Sequence, residues 1–181
     1  MIILYGPPGS GKSVQGQLLA ARHNWRWLST GQVLRDLHDP QIMREMEEKG
    51  IVNNKVVYRA LIEALRKTSD VERVILDGFP RDLEQAHWLV AALPEHQRSI
   101  KAVVNISVPF EEVIRRLKVR GRFDDDEEII RRRYNDYLGM SDEMVAFMQQ
   151  ERIPVVTVDG TGDVEDIHHY IDAELKKCLQ K

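Results

Sequence analysis

One cysteine, Cys178, in 181 residues leaves no partner for an internal disulfide and excludes a zinc site built from several thiolates. No apolar run approaches the roughly 20 residues that a membrane helix needs. Neither sign of charge dominates. Lys and Arg number 26 against 29 Asp and Glu, a formal net charge of −3, which gives no global attraction to nucleic acid or to an anionic membrane. The six histidines show no metal-ligand spacing. His168 and His169 are adjacent, so on a helix they face different ways, and both are expected at the surface. The opening Met1-Ile2-Ile3-Leu4-Tyr5 lacks the basic region and cleavage site of a leader peptide. The expectation is a cytoplasmic chain with neither membrane nor nucleic acid as a partner.

What is present is an ordinary supply of core and surface. Hydrophobic residues make up 43% and charged residues 30%, enough to close a sizeable core in one domain spanning 1–181. Apolar, strand-length runs recur at Ile2–Tyr5, Trp25–Leu28, Arg73–Leu76, Val103–Val108 and Val155–Val158. Helical patterns lie between and after them, at 14–22, 31–37, 54–67, 82–92, 110–120, 126–138, 141–151 and 163–179. That alternation predicts an α/β fold with a five-stranded parallel sheet flanked by helices. Trp25, Trp27 and Trp88 are expected to pack, not to stack on bases.

The strongest single stretch follows the first strand at once. Gly6-Pro7-Pro8-Gly9-Ser10-Gly11-Lys12-Ser13 fits G-x-x-x-x-G-K-[ST], with a strand before it and a helix-forming run from Val14 behind it. Glycines let successive N–H groups converge on one concavity, and the helix adds its positive end. Lys12 would reach the β- and γ-phosphates, and the Ser13 hydroxyl would help to hold Mg²⁺. This predicts a nucleoside triphosphate site.

Other polar motifs follow other strands, where an open parallel sheet places its ligands. Asp77 in Leu76-Asp77-Gly78-Phe79-Pro80-Arg81 sits where an acid would hold Mg²⁺ through water. Gly78 permits close approach, and Pro80 stiffens the turn that presents Arg81. Ser29-Thr30-Gly31 reads as a helix cap, with Arg35 one turn on, facing an anion near the helix start. Arg116 and Arg120, four apart, share one helix face, and Val113 and Leu117, also four apart, mark the buried side. Gly121-Arg122 leads through Phe123 into the acidic run 124–128, and Arg133 borders the stripe of Ile130, Tyr134 and Tyr137. These arginines would neutralise charge spreading over a transferring phosphoryl group. Arg115, Lys118, Arg131 and Arg132 read as an ion-paired solvated face, with Asp124 and Asp125 as caps or pairing partners. Asp159-Gly160-Thr161 either contacts a base through its backbone or is a plain turn.

Together these residues resemble the adenylate kinase family of nucleoside monophosphate kinases, over nearly the whole chain. Asp77-Gly78-Phe79-Pro80-Arg81 with Gln85 four residues on is the most specific part of the match. The resemblance implies a P-loop NTPase fold, a helical AMP-binding insert at 30–58, and the reaction ATP + AMP = 2 ADP with Mg²⁺ and no zinc. ATP would lie on Gly9, Ser10, Gly11, Lys12, Ser13 and Val14, with Arg116 stacked on its adenine, Gly160 beside it and Arg120 reaching its phosphates. AMP would meet Thr30, Gly31, Arg35, Ile51, Val52, Gly78, Arg81 and Gln85, together with Arg122 and Arg133. Lys12, Arg81, Arg120, Arg122 and Arg133 would be catalytic, with Ser13 and Asp77 on the metal.

Three departures stand out. The family's lid segment is reduced to Gly121 between Arg120 and Arg122, a vestigial turn at 121–123 in place of a lid domain. That leaves the triphosphate open to water and raises the expectation that a second copy of the chain covers it. The AMP-binding segment around 36–54 looks shortened, though Gly50-Ile51-Val52 matches the stretch that cradles adenine. Gln32 stands where the family usually has an acid. The alternatives are a kinase for another monophosphate such as UMP or CMP, or a nucleotide-binding ATPase or regulator. Thr30, where UMP/CMP-type relatives often carry alanine, and Gln85 favour AMP. No carboxylate is evident as a base for a hydroxyl acceptor, which argues against a sugar or shikimate kinase.

Overall fold

All five strands run parallel, in the order β2-β3-β1-β4-β5. The computed structural model describes residues 1–50, 52–121 and 126–180, and the Arg120 side chain also lies outside the described set. The strands are β1 (Ile2–Tyr5), β2 (Arg26–Ser29), β3 (Val74–Asp77), β4 (Ala102–Ser107) and β5 (Val155–Asp159). At the centre, β1 pairs with β3 through Leu4 opposite Asp77, and with β4 through Tyr5 opposite Asn105. A strand covered on both faces must be apolar at every position, and Ile2, Ile3, Leu4 and Tyr5 are all buried. Burying each such aliphatic side chain contributes about 1.5–3 kcal/mol.

Successive side chains of β1 serve opposite cores, as the two-residue period of a strand requires. Ile2 and Leu4 pack with Leu19 of α1 (Lys12–His23) and with Ile167, Ile171 and Leu175 of α8 (Val164–Leu179). Ile3 and Tyr5 face the other layer. There they meet Leu61 and Leu65 of α4 (Asn54–Arg66), Leu89 of α5 (Leu83–Ala92), and Tyr137 and Met148 of α7 (Glu127–Gln150). Two further helices, α2 (Thr30–Arg35) and α3 (Pro40–Glu48), stand with α4 between β2 and β3. The remaining helix, α6 (Phe110–Arg120), forms a small third cluster in which Val113 and Leu117 pack on Ile130 of α7.

The α/β parallel sheet expected from the apolar runs is the fold observed, with strand ends displaced by a residue or so. Two helical details differ. The patterns at 126–138 and 141–151 are one continuous helix, α7. Gly139 costs it about 1 kcal/mol relative to alanine, but the stripe Ile130, Tyr137, Met144, Phe147 and Met148 is buried along the whole length and outweighs that. Helix α3 lies within the helical insert expected at 30–58 but matches none of the helical patterns read from periodicity. Asp39 caps it by accepting from Gln41 N and Ile42 N, with Pro40 at the first turn, an N-terminal signature. Its apolar stripe is only Ile42 and Met46, too sparse to read from periodicity.

His168 is the clear correction. It is fully buried, at 0% exposure, because it shares the inward face of α8 with Ile167, Ile171 and Leu175. His169, one residue on, is exposed. The cap of α7 is Asp126, which accepts from Glu128 N and Ile129 N; Asp124 and Asp125 lie outside the described residues. No helix among the described residues is long and apolar enough to cross a membrane.

Candidate active site

A cavity of about 970 Å³ opens beyond the carboxyl ends of the strands. Gly9, Ser10, Gly11, Lys12, Ser13 and Val14 form one side of it, and Gly31, Arg35, Gly78, Arg81 and Gln85 another. Asp77, Arg116, Arg133 and Gly160 also line it. Motifs from both ends of the chain thus converge on one space, as their shared position after strands predicts.

The phosphate-loop side is built largely by backbone. Helix α1 starts behind Gly11, without a side-chain cap and with no acid in its first turn. Its exposed N–H groups and positive dipole end therefore face the cavity. The Lys12 ammonium lies inside the curl of its own loop, donating to the carbonyls of Gly6 at 2.9 Å and Pro7 at 2.6 Å. Ser13 donates its hydroxyl to the Asp77 carboxylate at 2.6 Å, and Asp77 is buried at the end of β3.

Arg116 ties this side together. Its guanidinium donates to the Gly160 carbonyl at 2.7 Å and to the Gly9 carbonyl at 3.4 Å. Glu112, one turn earlier on α6, accepts from Arg116 Nε at 2.5 Å and from Arg115. Hydrogen bonds from Arg115 and Arg116 hold the Glu112 carboxyl down at about 2, so it stays ionised and keeps Arg116 aimed. Gly160 sits where nothing larger fits. A Cβ there would come within 2.7 Å of Ile106, 2.8 Å of Val108 and 3.1 Å of the Ser10 carbonyl.

The other side is assembled from side chains on several elements. Ser29 caps α2 by accepting from Gln32 N. Arg35, one turn on, donates to Gln32 Oε1 at 3.2 Å, while Gln32 Nε2 donates to Asp36. A neutral amide beside Arg35 leaves its charge uncancelled by that neighbour, which the usual acid would not. Gln85 is buried, accepts from the Arg81 backbone at 2.8 Å, and donates to Asn54 Oδ1 at 2.8 Å. Arg81 Nη1 and Arg133 Nη2 both donate to the Gly50 carbonyl, at 2.9 and 3.2 Å. A second, small cavity of about 20 Å³ lies here, lined by Thr30, Val52, Gly78, Arg81 and Gln85 among others. Thr30 Oγ1 is buried in this region with no partner among the described residues.

Ile51, Arg122 and the Arg120 side chain, all expected in the site, lie outside the described residues. Several residues that line or support the site were missed. Glu112 was recoverable from its spacing four before Arg116. Asn54 carried no local signal, since its role depends on α4 packing near α5. Tyr137, expected as part of an apolar stripe, also walls the cavity and donates to Asn105 Oδ1 at 3.0 Å. Arg115, expected on a solvated face, is exposed as expected yet reaches the rim.

A family model described as adenylate kinase matches residues 4–153. The chain belongs to the adenylate kinase family. It is 32% identical to the adenylate kinase of Maricaulis maris, over 97% of this chain and 98% of that relative. It is 35% identical to an adenylate kinase of Thermus thermophilus, over 96% of each. With the adenylate kinase of Synechococcus sp. (strain RCC307) identity is again 35%, over 96% of this chain and 97% of the relative. The Maricaulis alignment spans 186 positions and takes in almost all of both chains. The two chains are therefore similar in length.

Proposed function

We propose that the chain transfers a phosphoryl group between ATP and AMP, giving two ADP, with Mg²⁺. The observation that carries this reading is the pairing within one cavity of a phosphate loop and, apart from it, a group made of Arg35, Arg81 and Gln85. Two anionic nucleotides meeting end to end fit that arrangement. Family membership agrees with it.

An acceptor that brings an ionised phosphate oxygen needs no general base, only charge neutralisation and alignment. Lys12 and the N-terminus of α1 would bind the donor phosphates, and Arg116 would support the donor's base against Gly160. Arg35 and Arg81 would grip the acceptor phosphate. Arg133 would stabilise negative charge on the group in flight. Gln85, oriented by Asn54, would offer its amide to the acceptor's base. The Ser13 hydroxyl and the Asp77 carboxylate, 2.6 Å apart, are hard oxygen donors of the kind Mg²⁺ takes, directly or through water. When bound, the metal supplies charge neutralisation at the β- and γ-phosphates.

The test is a mass-resolved turnover assay with ATP and Mg²⁺ against AMP, CMP, UMP, GMP and water. ADP formed from both ATP and AMP, with little product from the other acceptors, is the expected result. A diphosphate made chiefly from CMP or UMP would move the reading to another monophosphate kinase. Phosphate release with no diphosphate product would replace it with an ATPase or regulator.

A further inference from the structure

The carboxyl end of α3 runs into the arginines of the site. Gly50 follows Lys49, the C-cap of α3, with φ at +67°. The last carbonyls of a helix lack intrahelical donors and carry the negative end of its dipole. Here arginines supply the missing donors. Arg132 donates to the Lys49 carbonyl, and the Gly50 carbonyl accepts from both Arg81 and Arg133. One backbone oxygen thus gathers two guanidiniums from different parts of the fold, one just before α5 and one on α7.

The fit is close enough to demand glycine. A Cβ at residue 50 would lie 2.5 Å from Arg133 Nε, 2.9 Å from Nη2 and 3.0 Å from Cζ. The obstructing atoms belong to a long side chain that can swing away, so the packing penalty falls on where Arg133 points, while the positive φ adds backbone strain to any substitution. We propose that Gly50 is a positioning residue for phosphoryl transfer: its carbonyl brings Arg81 and Arg133 together, and its missing side chain lets Arg133 lie against the insert. This rests on the phosphotransfer reading above and adds to it a requirement at a residue that touches neither reacting atom.

The experiment compares Gly50→Ala and Gly50→Asn, each alone and combined with Arg133→Lys, by kcat, by KM for each nucleotide and by Tm. Displacing a reacting group by about 1 Å costs on the order of 10²-fold in rate, so Gly50→Ala should lose about ten- to a hundredfold in kcat. KM for ATP should stay within about twofold, as for a contact used in the transition state. Asparagine tolerates positive φ better than alanine, yet it carries the same Cβ and should lose as much. In the Arg133→Lys background the same substitutions should cost under about threefold more, since the obstructed guanidinium is gone. Native kcat in Gly50→Asn, or losses that simply multiply with Arg133→Lys, would overturn the proposal. If the native chain makes no ADP from ATP and AMP, the phosphotransfer reading fails first. The placement itself is then read from the Arg133 Nε–H resonance, assigned by its loss in Arg133→Lys. A shift in Gly50→Ala supports the arrangement, and an unmoved resonance overturns it.

Discussion

The two sides of the cavity are made by different means. The phosphate-loop side centres on one continuous stretch, Gly6 to Ser13, between a fully buried strand and a helix, with Asp77, Arg116 and Gly160 set against it, and most of its polar contacts run to backbone. The acceptor side is stitched from α2, the end of α3, the start of α4, the turn before α5, and α7. Its junctions are single hydrogen bonds such as Gln85 to Asn54 and Arg81 to Gly50. A site held by backbone resists substitution except at the residues that act directly. A site stitched from side chains is tunable at each stitch. Specificity for the acceptor is therefore expected to be more easily altered than binding of the donor.

The largest expected effect tests the first half of that contrast. Lys12→Ala should lower kcat by about 10²–10³-fold, the usual cost of removing one donor aimed at developing charge, with Tm nearly unchanged; steady-state kinetics and a melting curve check both. Next comes Gly160→Ala, which forces a Cβ against Ile106, Val108 and the Ser10 carbonyl. Overpacking of this kind costs about 1–3 kcal/mol, so both a lower Tm and a higher KM for ATP are expected. An unchanged KM for ATP would show that the loop yields more readily than its packing implies.

Asn54→Ala probes the stitched side. Without its partner the Gln85 amide loses orientation, worth about 0.5–1.5 kcal/mol. KM for AMP should rise a few-fold while KM for ATP holds; equal rises in both would erase the contrast. The smallest effect lies away from the site. Burial, aided by Arg22, lowers the pKa of His168 against the opposing pull of Asp172 and Glu165. Below its ordinary value the unfolded chain takes up a proton that the native chain resists, so stability is full near neutrality and declines as the solution is acidified. His168→Leu should flatten that decline in denaturant melts taken from pH 7 to pH 5.

The same contrast governs what could be read from the chain alone. The phosphate loop, Asp77 and Arg81 were legible because local spacing carries their chemistry, and the parallel sheet because its strands are unbroken apolar runs. Arg116 and Arg133 were legible as residues, but not their partners. Glu112 is local to Arg116 and was overlooked. The Gly50 carbonyl is 83 residues from Arg133, and no spacing rule connects the two. Helix α3 escaped because two apolar residues make no stripe, and His168 because adjacency says that two histidines diverge, not which one turns inward.

The unbroken run of α7 settles which part of the molecule must travel. At 24 residues it is about 36 Å long, and its far half is sunk into the core through Met144, Phe147 and Met148. Arg133 is therefore mounted on an anvil. A rod gripped at its far end cannot tip toward a substrate without unpacking the sheet's covering layer. Approach between Arg133 and an acceptor has to come from α2 and α3, which sink only a few side chains, Leu34, Ile42 and Met46, into that layer. The helix that carries the arginine supplies the reference frame, and the insert supplies the stroke.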